Sequence, residues 1–379
     1  MNTGNRKRVL VVDDSAFMRK LISDYLSEHP AMEVVGTARN GKMAIEKVAE
    51  LKPDVVTMDI EMPLMNGLEA LKIIMETYPV PVVMLSSTTK AGAENTMLAM
   101  EYGAVDFVAK PGGAISLNLH EVKDELLRKV AAATGVQIAH LTRSFLEKTP
   151  QDPISEYKNT LRSDEEAPVP VFQNKPAHIL HNRISKFEKT FVIIGTSTGG
   201  PRALQEVLTR LPASIDFPIL IVQHMPPGFT KSLAERLDGL SEITVKEAED
   251  SEVISNGVAY IAPGGKHLKF EKKGVQYFIR LDDSVPPRKG HRPSVDVLLE
   301  AAAEHEELNY LTVIMTGMGY DGKLGMERLR KNGKTVTISE SEKTAVVYGM
   351  PRAIEEAGLA DKVLDVQDIP ISMMEILKS

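Results

Sequence analysis

The chain alternates short, unbroken apolar runs with longer segments of helical period, and it does so twice. The first set of runs is Val9–Val12, Val55–Met58, Pro81–Leu85 and Asp106–Lys110, and the pattern closes near residue 130. The second set is FVIIG from Phe191, then Pro218–Gln223, Val258–Pro263, Leu311–Gly317 and Lys334–Ser339, with helical segments such as RALQEVLTRL and SVDVLLEAAAEH between them. An unbroken apolar strand must be buried on both faces, which a parallel sheet covered by helices provides. The pattern predicts an α/β fold with two such sheets. Residues 148–188 mix Pro, Asn, Ser and charge without a sustained period and read as an extended or disordered linker. Leu119–Lys148 has helical spacing and reads as a connecting helix.

Composition narrows the functional classes. At 43% hydrophobic residues over 379 positions there is apolar material for more than one core. There is no cysteine, which removes disulfides, a thiol nucleophile and thiolate metal ligands. A net charge of −7 argues against nonspecific nucleic-acid binding. The absence of cysteine fits a cytosolic protein, and the apolar stretch near the N-terminus meets Asp13 and Asp14 after a few residues, too early for a signal peptide or a spanning helix.

In open parallel sheets, sites form at the carboxyl ends of the strands. In the first half those ends carry Asp13 and Asp14, Asp59, Ser86 and Ser87, and Lys110. Converging carboxylates make a hard-oxygen site suited to Mg²⁺, and Asp59 is placed to accept a phosphoryl group with a lysine and a hydroxyl on its oxygens. Each residue alone reads more readily as a turn former, a helix cap or a surface charge; the four strand ends together do not. VLVVDDS, MDIEMPLMNGLEAL and DFVAKP resemble a two-component response-regulator receiver domain over about residues 6–128. That resemblance implies a flavodoxin-like fold, Asp59 as phosphoacceptor, and Mg²⁺ held by Asp13, Asp14, Asp59 and the Glu61 carbonyl. It further implies Ser86, ahead of Ser87, as the switch hydroxyl, Lys110 on the phosphate, and Phe107 as an aromatic that changes rotamer.

In the second half, Gly195-Thr-Ser197-Thr-Gly199 follows a strand and precedes a helix. That context suits a nucleophile elbow. It also suits a phosphate cradle at a helix N-terminus, or a serine that only caps the next helix. A nucleophilic serine needs a base, and the base needs an orienting carboxylate. His224 and Asp321 each lie just past an apolar run, at the edge where Ser197 is expected; His267 and His291 read as loop histidines that bind substrate or face solvent. The order Ser…His…Asp differs from the Ser…Asp/Glu…His of α/β-hydrolases, which disfavours that fold.

GTSTGGPRAL, VQHMPPGFT, YIAPGGKH, HRPSVDVL, TGMGYDG and VVYGMPRA resemble the C-terminal domain of the CheB family of chemotaxis protein-glutamate methylesterases, from about Phe191 to the C-terminus. The receiver in front matches that family's domain order. The resemblance implies a doubly wound α/β catalytic domain with Ser197 as nucleophile, His224 as base and Asp321 as orienting acid. Oxyanion donors are implied near Thr198 and Met318. It implies a serine hydrolase controlled by phosphorylation, which removes methyl esters from chemoreceptor glutamates and deamidates receptor glutamines. No cofactor is implied for the esterase chemistry. The implied partners are methyl-accepting receptors and a chemotaxis histidine kinase, with no nucleic acid and no membrane insertion. The chain is expected to be a cytoplasmic monomer recruited to receptor arrays. Expected boundaries are 1–128 for the receiver, 129–188 for the connecting helix and linker, and 189–379 for the catalytic domain. One departure is Tyr320, which stands where the family often has Asn or Asp. The competing expectation is a noncatalytic regulator whose second domain binds a partner or nucleotide.

Overall fold

The computed structural model describes residues 6–110, 119–138, 174, 175, 180 and 189–378. In the first half the elements run β1 (Lys7–Val12), α1 (Ala16–Ser27), β2 (Met32–Ala38), α2 (Gly41–Leu51), β3 (Val55–Asp59), α3 (Gly67–Thr77), β4 (Val82–Ser86), α4 (Lys90–Glu101), β5 (Asp106–Ala109) and α5 (Leu119–Ala133). The strands form one parallel sheet in the order β2-β1-β3-β4-β5. The chain reverses direction across the sheet at β1, whose neighbours are β2 and β3, and this switch point opens a crevice at the carboxyl edge. Asp13 and Asp59 lie at that edge because β1 and β3 end there.

The second half runs β6 (Thr190–Thr196), α6 (Gly200–Leu208), β7 (Ile219–Gln223), α7 (Phe229–Asp238), β8 (Thr244–Glu247), β9 (Val258–Ile261), β10 (His267–Lys273), β11 (Gln276–Asp282), α8 (Val295–Ala302), β12 (Asn309–Ile314), α9 (Lys323–Leu329), β13 (Thr335–Glu340), α10 (Met350–Glu356), β14 (Lys362–Leu364) and α11 (Ile369–Lys378). Seven strands pair in parallel in the order β14-β13-β12-β6-β7-β9-β8. β6 is the switch point here, flanked by β7 and β12. The expected α/β class and its two parallel sheets are therefore present.

The runs at Val9, Val55, Pro81, Asp106, Phe191, Pro218, Val258, Leu311 and Lys334 all form strands. Five of the described strands leave no such run: β2, β8, β14 and the two strands of the antiparallel hairpin β10–β11. The first three are sheet edges, half-exposed, so they carry no unbroken apolar run. The hairpin alternates, turning Phe270, Tyr277 and Ile279 inward, and Phe191 packs on Phe270 and Tyr277 at 5.3 and 5.2 Å.

The linker reading falls outside the described residues apart from 174, 175 and 180. Asn174 exchanges side-chain hydrogen bonds with the Val363 backbone (3.1 and 2.6 Å), and the Lys175 amide donates to Asp361 O at 3.1 Å. These bonds satisfy outward backbone groups of the β14 edge, which would otherwise template further pairing. Leu180 is fully buried.

The two sheets' helical layers meet. Phe107 of β5 and Phe229 of α7 have ring centroids 4.5 Å apart, and both are buried. Arg236 Nε donates to Glu101 Oε1 at 2.6 Å, joining α7 to the end of α4. The Thr198 hydroxyl donates to the buried Asp106 carboxylate across the same junction.

Candidate functional site

At the edge of the first sheet, Asp13, Asp14 and Asp59 present carboxylate oxygens all within 4.8 Å of one another. Lys110 Nζ lies 2.7 Å from Asp59 Oδ2 and 2.9 Å from Asp13 Oδ2. Burial raises the Asp59 pKa to about 6, and Lys110 only partly offsets this. Burial alone would lower the Lys110 amine, but its hydrogen bonds to Asp59 and Asp13 prevail and hold it above its usual value. Close oxygens of mixed exposure, with a cation on one side, fit a divalent hard cation. The Ser86 hydroxyl is buried and turned toward α4, donating to Gly92 O at 3.0 Å and accepting from Thr96 Oγ1 at 2.8 Å. Ser87 bonds Thr89 instead. Phe107 is packed against Phe229, with the Lys129 amine 4.9 Å over its ring.

At the edge of the second sheet, Ser197 follows the last residue of β6. Its amide donates to Thr316 O at 3.0 Å, and its carbonyl accepts from Gly200 N at 2.8 Å and Gln223 Nε2 at 3.0 Å. These bonds close a tight turn between β6 and α6. The N-cap of α6 is Gly199, at φ +79°, and no side chain caps the helix. Ser197 is therefore not the cap of α6, and the left-handed conformation at 199 favours glycine. Gly317 comes so close that a Cβ there would sit 2.8 Å from Ser197 Cβ and 2.5 Å from Met350 Sδ. The Thr198 and Met318 amides make no hydrogen bond with the described residues.

His224 follows β7, and its side chain is almost wholly buried. Its Nε2 lies 2.9 Å from Asp321 Oδ2, while Nδ1 is buried with no hydrogen-bond partner among the described residues. Asp321 accepts from five groups: His224 Nε2, Ser294 Oγ (2.9 Å), and the amides of Val295 (2.7 Å), Asp296 (3.1 Å) and Gly322 (3.1 Å). Burial pushes its pKa up, but the bonds from His224 and the Asp296 and Val295 amides outweigh it and hold the carboxyl well below the usual range. The amides belong to the first turn of α8, whose dipole adds to the stabilisation of an anion. Asp296 does the same for α9, accepting from Gly322 N at 3.0 Å and Gly325 N at 2.8 Å. An ionised Asp321 accepts a hydrogen bond from the Nε2–H of His224, which leaves Nδ1 as the nitrogen without a proton.

The structure thus brings Ser197, His224 and Asp321 to the carboxyl ends of β6, β7 and β12, around one switch point. It brings Asp13, Asp14, Asp59 and Lys110 together at the other. His267 is fully buried at the start of β10, its Nε2 3.2 Å from Pro286 O, and does not face solvent. His291 lies flat on His224, with ring centroids 3.9 Å apart and planes 5° off parallel.

Sequence reasoning missed the supports: Gln223, Ser294, Asp296, Thr316 and Glu340. Glu340 is wholly buried, accepts the Thr316 amide at 2.7 Å and the Thr344 hydroxyl at 3.0 Å, and is raised by burial to about 7. The Gln223 signal was present, since a polar residue ends an apolar run next to His224. Nothing local marks the others.

The response regulator receiver domain family matches residues 9–120, and the CheB methylesterase family matches residues 192–373. Three relatives named protein-glutamate methylesterase/protein-glutamine glutaminase match nearly the whole chain. The Geobacillus kaustophilus protein is 53% identical over 98% of this chain and 98% of its own. That of Oceanobacillus iheyensis is 50% identical over 96% and 97%, and that of Halalkalibacterium halodurans 49% over 99% of both.

Proposed function

The chain belongs to the protein-glutamate methylesterase/protein-glutamine glutaminase family, and we propose that it hydrolyses methyl esters on chemoreceptor glutamates and deamidates receptor glutamines through Ser197, His224 and Asp321. The observation that carries the site assignment is the hydrogen-bond pattern around the imidazole. Asp321, gripped by five donors, orients the ring through Nε2 and leaves Nδ1 free to act as base.

Ser197 Oγ attacks the γ-carbonyl of the glutamyl methyl ester, and its proton passes to His224 Nδ1. The Thr198 and Met318 amides donate to the oxyanion. Collapse of the tetrahedral adduct breaks the C–O bond to the methoxy group. That group takes the proton from Nδ1 and leaves as methanol. Water then attacks the acyl-serine, gives a proton to Nδ1, and the second collapse returns it to Ser197, freeing the glutamate side chain. With glutamine the leaving group is ammonia. The Asp321 charge stabilises the imidazolium in both halves.

The first half regulates this chemistry. Asp59 accepts a phosphoryl group from a histidine kinase, and Lys110 pairs with the added charge. A Mg²⁺ ion, when bound by Asp13, Asp14 and Asp59, neutralises phosphoryl oxygens. Engagement of Ser86 with that group breaks its bonds to Gly92 and Thr96 and frees space for Phe107, which packs on Phe229. The Thr198–Asp106 bond ties the unphosphorylated receiver to the residue after the nucleophile. The receiver spans 1–128, the connection 129–188 and the catalytic domain 189–379, with α5 continuing past the first boundary to Ala133. The protein works as a monomer at receptor arrays on the inner membrane face; none of the described helices is long and apolar enough to cross a membrane.

The test is methanol release from methylated receptor membranes, with and without a small phosphodonor plus Mg²⁺. Release that rises with the donor and falls by roughly 10⁴-fold or more in Ser197→Ala is the expected result. Near-full release by Ser197→Ala overturns the site.

A further inference from the structure

We propose that His291 is a positioning residue for this hydrolysis: its imidazole, stacked on His224, fixes the plane of the base and covers one face, so that Nδ1 keeps a single direction through the proton transfers. The inference rests on the triad reading above. His224 is held through one ring nitrogen only, by Asp321, and its Nδ1 has no hydrogen-bond partner among the described residues. One hydrogen bond at one corner leaves a planar ring free to tilt. A second ring at 3.9 Å and 5° removes that freedom.

The segment that delivers His291 is over-determined. Arg288 and His291 exchange both backbone hydrogen bonds at 2.9 Å, closing a two-residue turn over Lys289 (φ +52°) and Gly290 (φ +83°). A lysine in the left-handed region is strained, and such strain persists where the surroundings enforce it. Here Lys289 Nζ is 3.1 Å from Asp296 Oδ2 and 4.0 Å from the centre of the Tyr320 ring, and Arg288 pairs with Glu300. Pro286 O receives His267, and Arg292 O accepts the Gly265 amide at 2.9 Å. Three residues beyond His291 the chain reaches Ser294–Asp296, which grips Asp321. One segment therefore places both the stacking ring and the donors to the orienting acid.

The electrostatics suit the role. Burial first, and then the neighbouring His224, push His291 down to about 3, so it stays neutral when His224 takes the serine proton. A neutral aromatic face against an imidazolium is attractive, whereas a second cation there would be repulsive. Tyr320, the departure noted in the sequence, contributes by seating Lys289.

The experiment measures methanol release by the full chain and by His291→Ala, His291→Asn, His291→Phe and Ser197→Ala in parallel, with thermal unfolding of each as a check on folding. Ala and Asn should lower kcat roughly tenfold with KM changed less than about twofold, and Phe should restore kcat to within about threefold. The ¹⁵N resonance of His224 Nδ1 should broaden in Asn and stay sharp in Phe. A kcat unchanged in Asn, or Phe no better than Asn, overturns the inference. So does a loss confined to KM, which marks substrate docking. If Ala does not fold, Asn against Phe carries the decision alone. Ser197→Ala retaining turnover overturns the triad reading instead; with Ser197→Ala inactive and the His291 variants unaffected, only the inference about His291 fails.

Discussion

Asp59 and Asp321 occupy equivalent places in two parallel sheets, each at a carboxyl edge beside a switch point, and they are almost equally buried at 3% and 4% exposure. Their carboxyls nevertheless shift in opposite directions. Asp59 is pushed up to about 6, while Asp321 is held well below the usual range. Burial does not distinguish them; the supply of donors does. Asp59 has Lys110 and the Glu61 amide, whereas Asp321 has five donors and a helix N-terminus. An under-satisfied carboxylate is suited to gaining a covalent group and a cation. A saturated one is suited to staying ionised and still.

The sharpest way to break this contrast is the same isosteric change at both positions. Asp321→Asn should lower methanol release roughly 10³–10⁴-fold, because the imidazole loses its orienting anion. Asp59→Asn should leave unstimulated release unchanged and abolish the response to phosphodonor. Equal losses in both variants would remove the division of roles.

Stability should divide in the same way. The Asp59 pKa stands above its unfolded value of 3.8, so its contribution is fully present below that pH and is lost as pH rises through about 6. Asp59→Asn should therefore stabilise the receiver transition by about 1–3 kcal/mol at pH 7.5, and the gain should vanish near pH 3.5, measured by calorimetry across pH. Asp321 has the opposite sign: its contribution is present above the unfolded pKa and is lost as pH falls through its depressed one. Asp321→Asn should destabilise at neutral pH, with the difference shrinking in acid.

Smaller effects probe the junction between the two halves. Thr198→Val keeps the backbone amide and removes the hydroxyl bond to Asp106. It should raise unstimulated release about threefold, on the order of the 0.5–1.5 kcal/mol of one hydrogen bond, and reduce the stimulation by the same factor. Arg236→Ala, which breaks a half-exposed ion pair to Glu101, should change release by less than about twofold. If Arg236→Ala has the larger effect of the two, the surface contact governs coupling rather than the tie at the Ser197 turn.

How legible each part was follows from burial and from chain distance. Central strands were read from unbroken apolar runs such as Val9–Val12 and FVIIG, because two-sided burial leaves a one-dimensional signature. The edge strands Thr244–Glu247 and Lys362–Leu364 leave none. Ser197, His224 and Asp321 were legible as chemistry-bearing types just past strands. Ser294, Thr316 and Glu340 look like any loop or strand residue, and their importance exists only through the atoms they touch. The stack of His291 on His224 is not legible in the sequence, because a partner 67 positions away leaves no local trace.

The sequence by itself determined the class of fold and the family, and it marked Asp59, Ser197, His224 and Asp321 as chemistry-bearing types past strand ends, since these follow from local pattern and side-chain chemistry. Tertiary structure alone decided which imidazole nitrogen faces Asp321, which of two similarly buried aspartates is saturated with donors, and which ring rests on His224. Those outcomes depend on distances between residues far apart in the chain, and hydrogen bonding and desolvation change over ångströms that no linear pattern encodes.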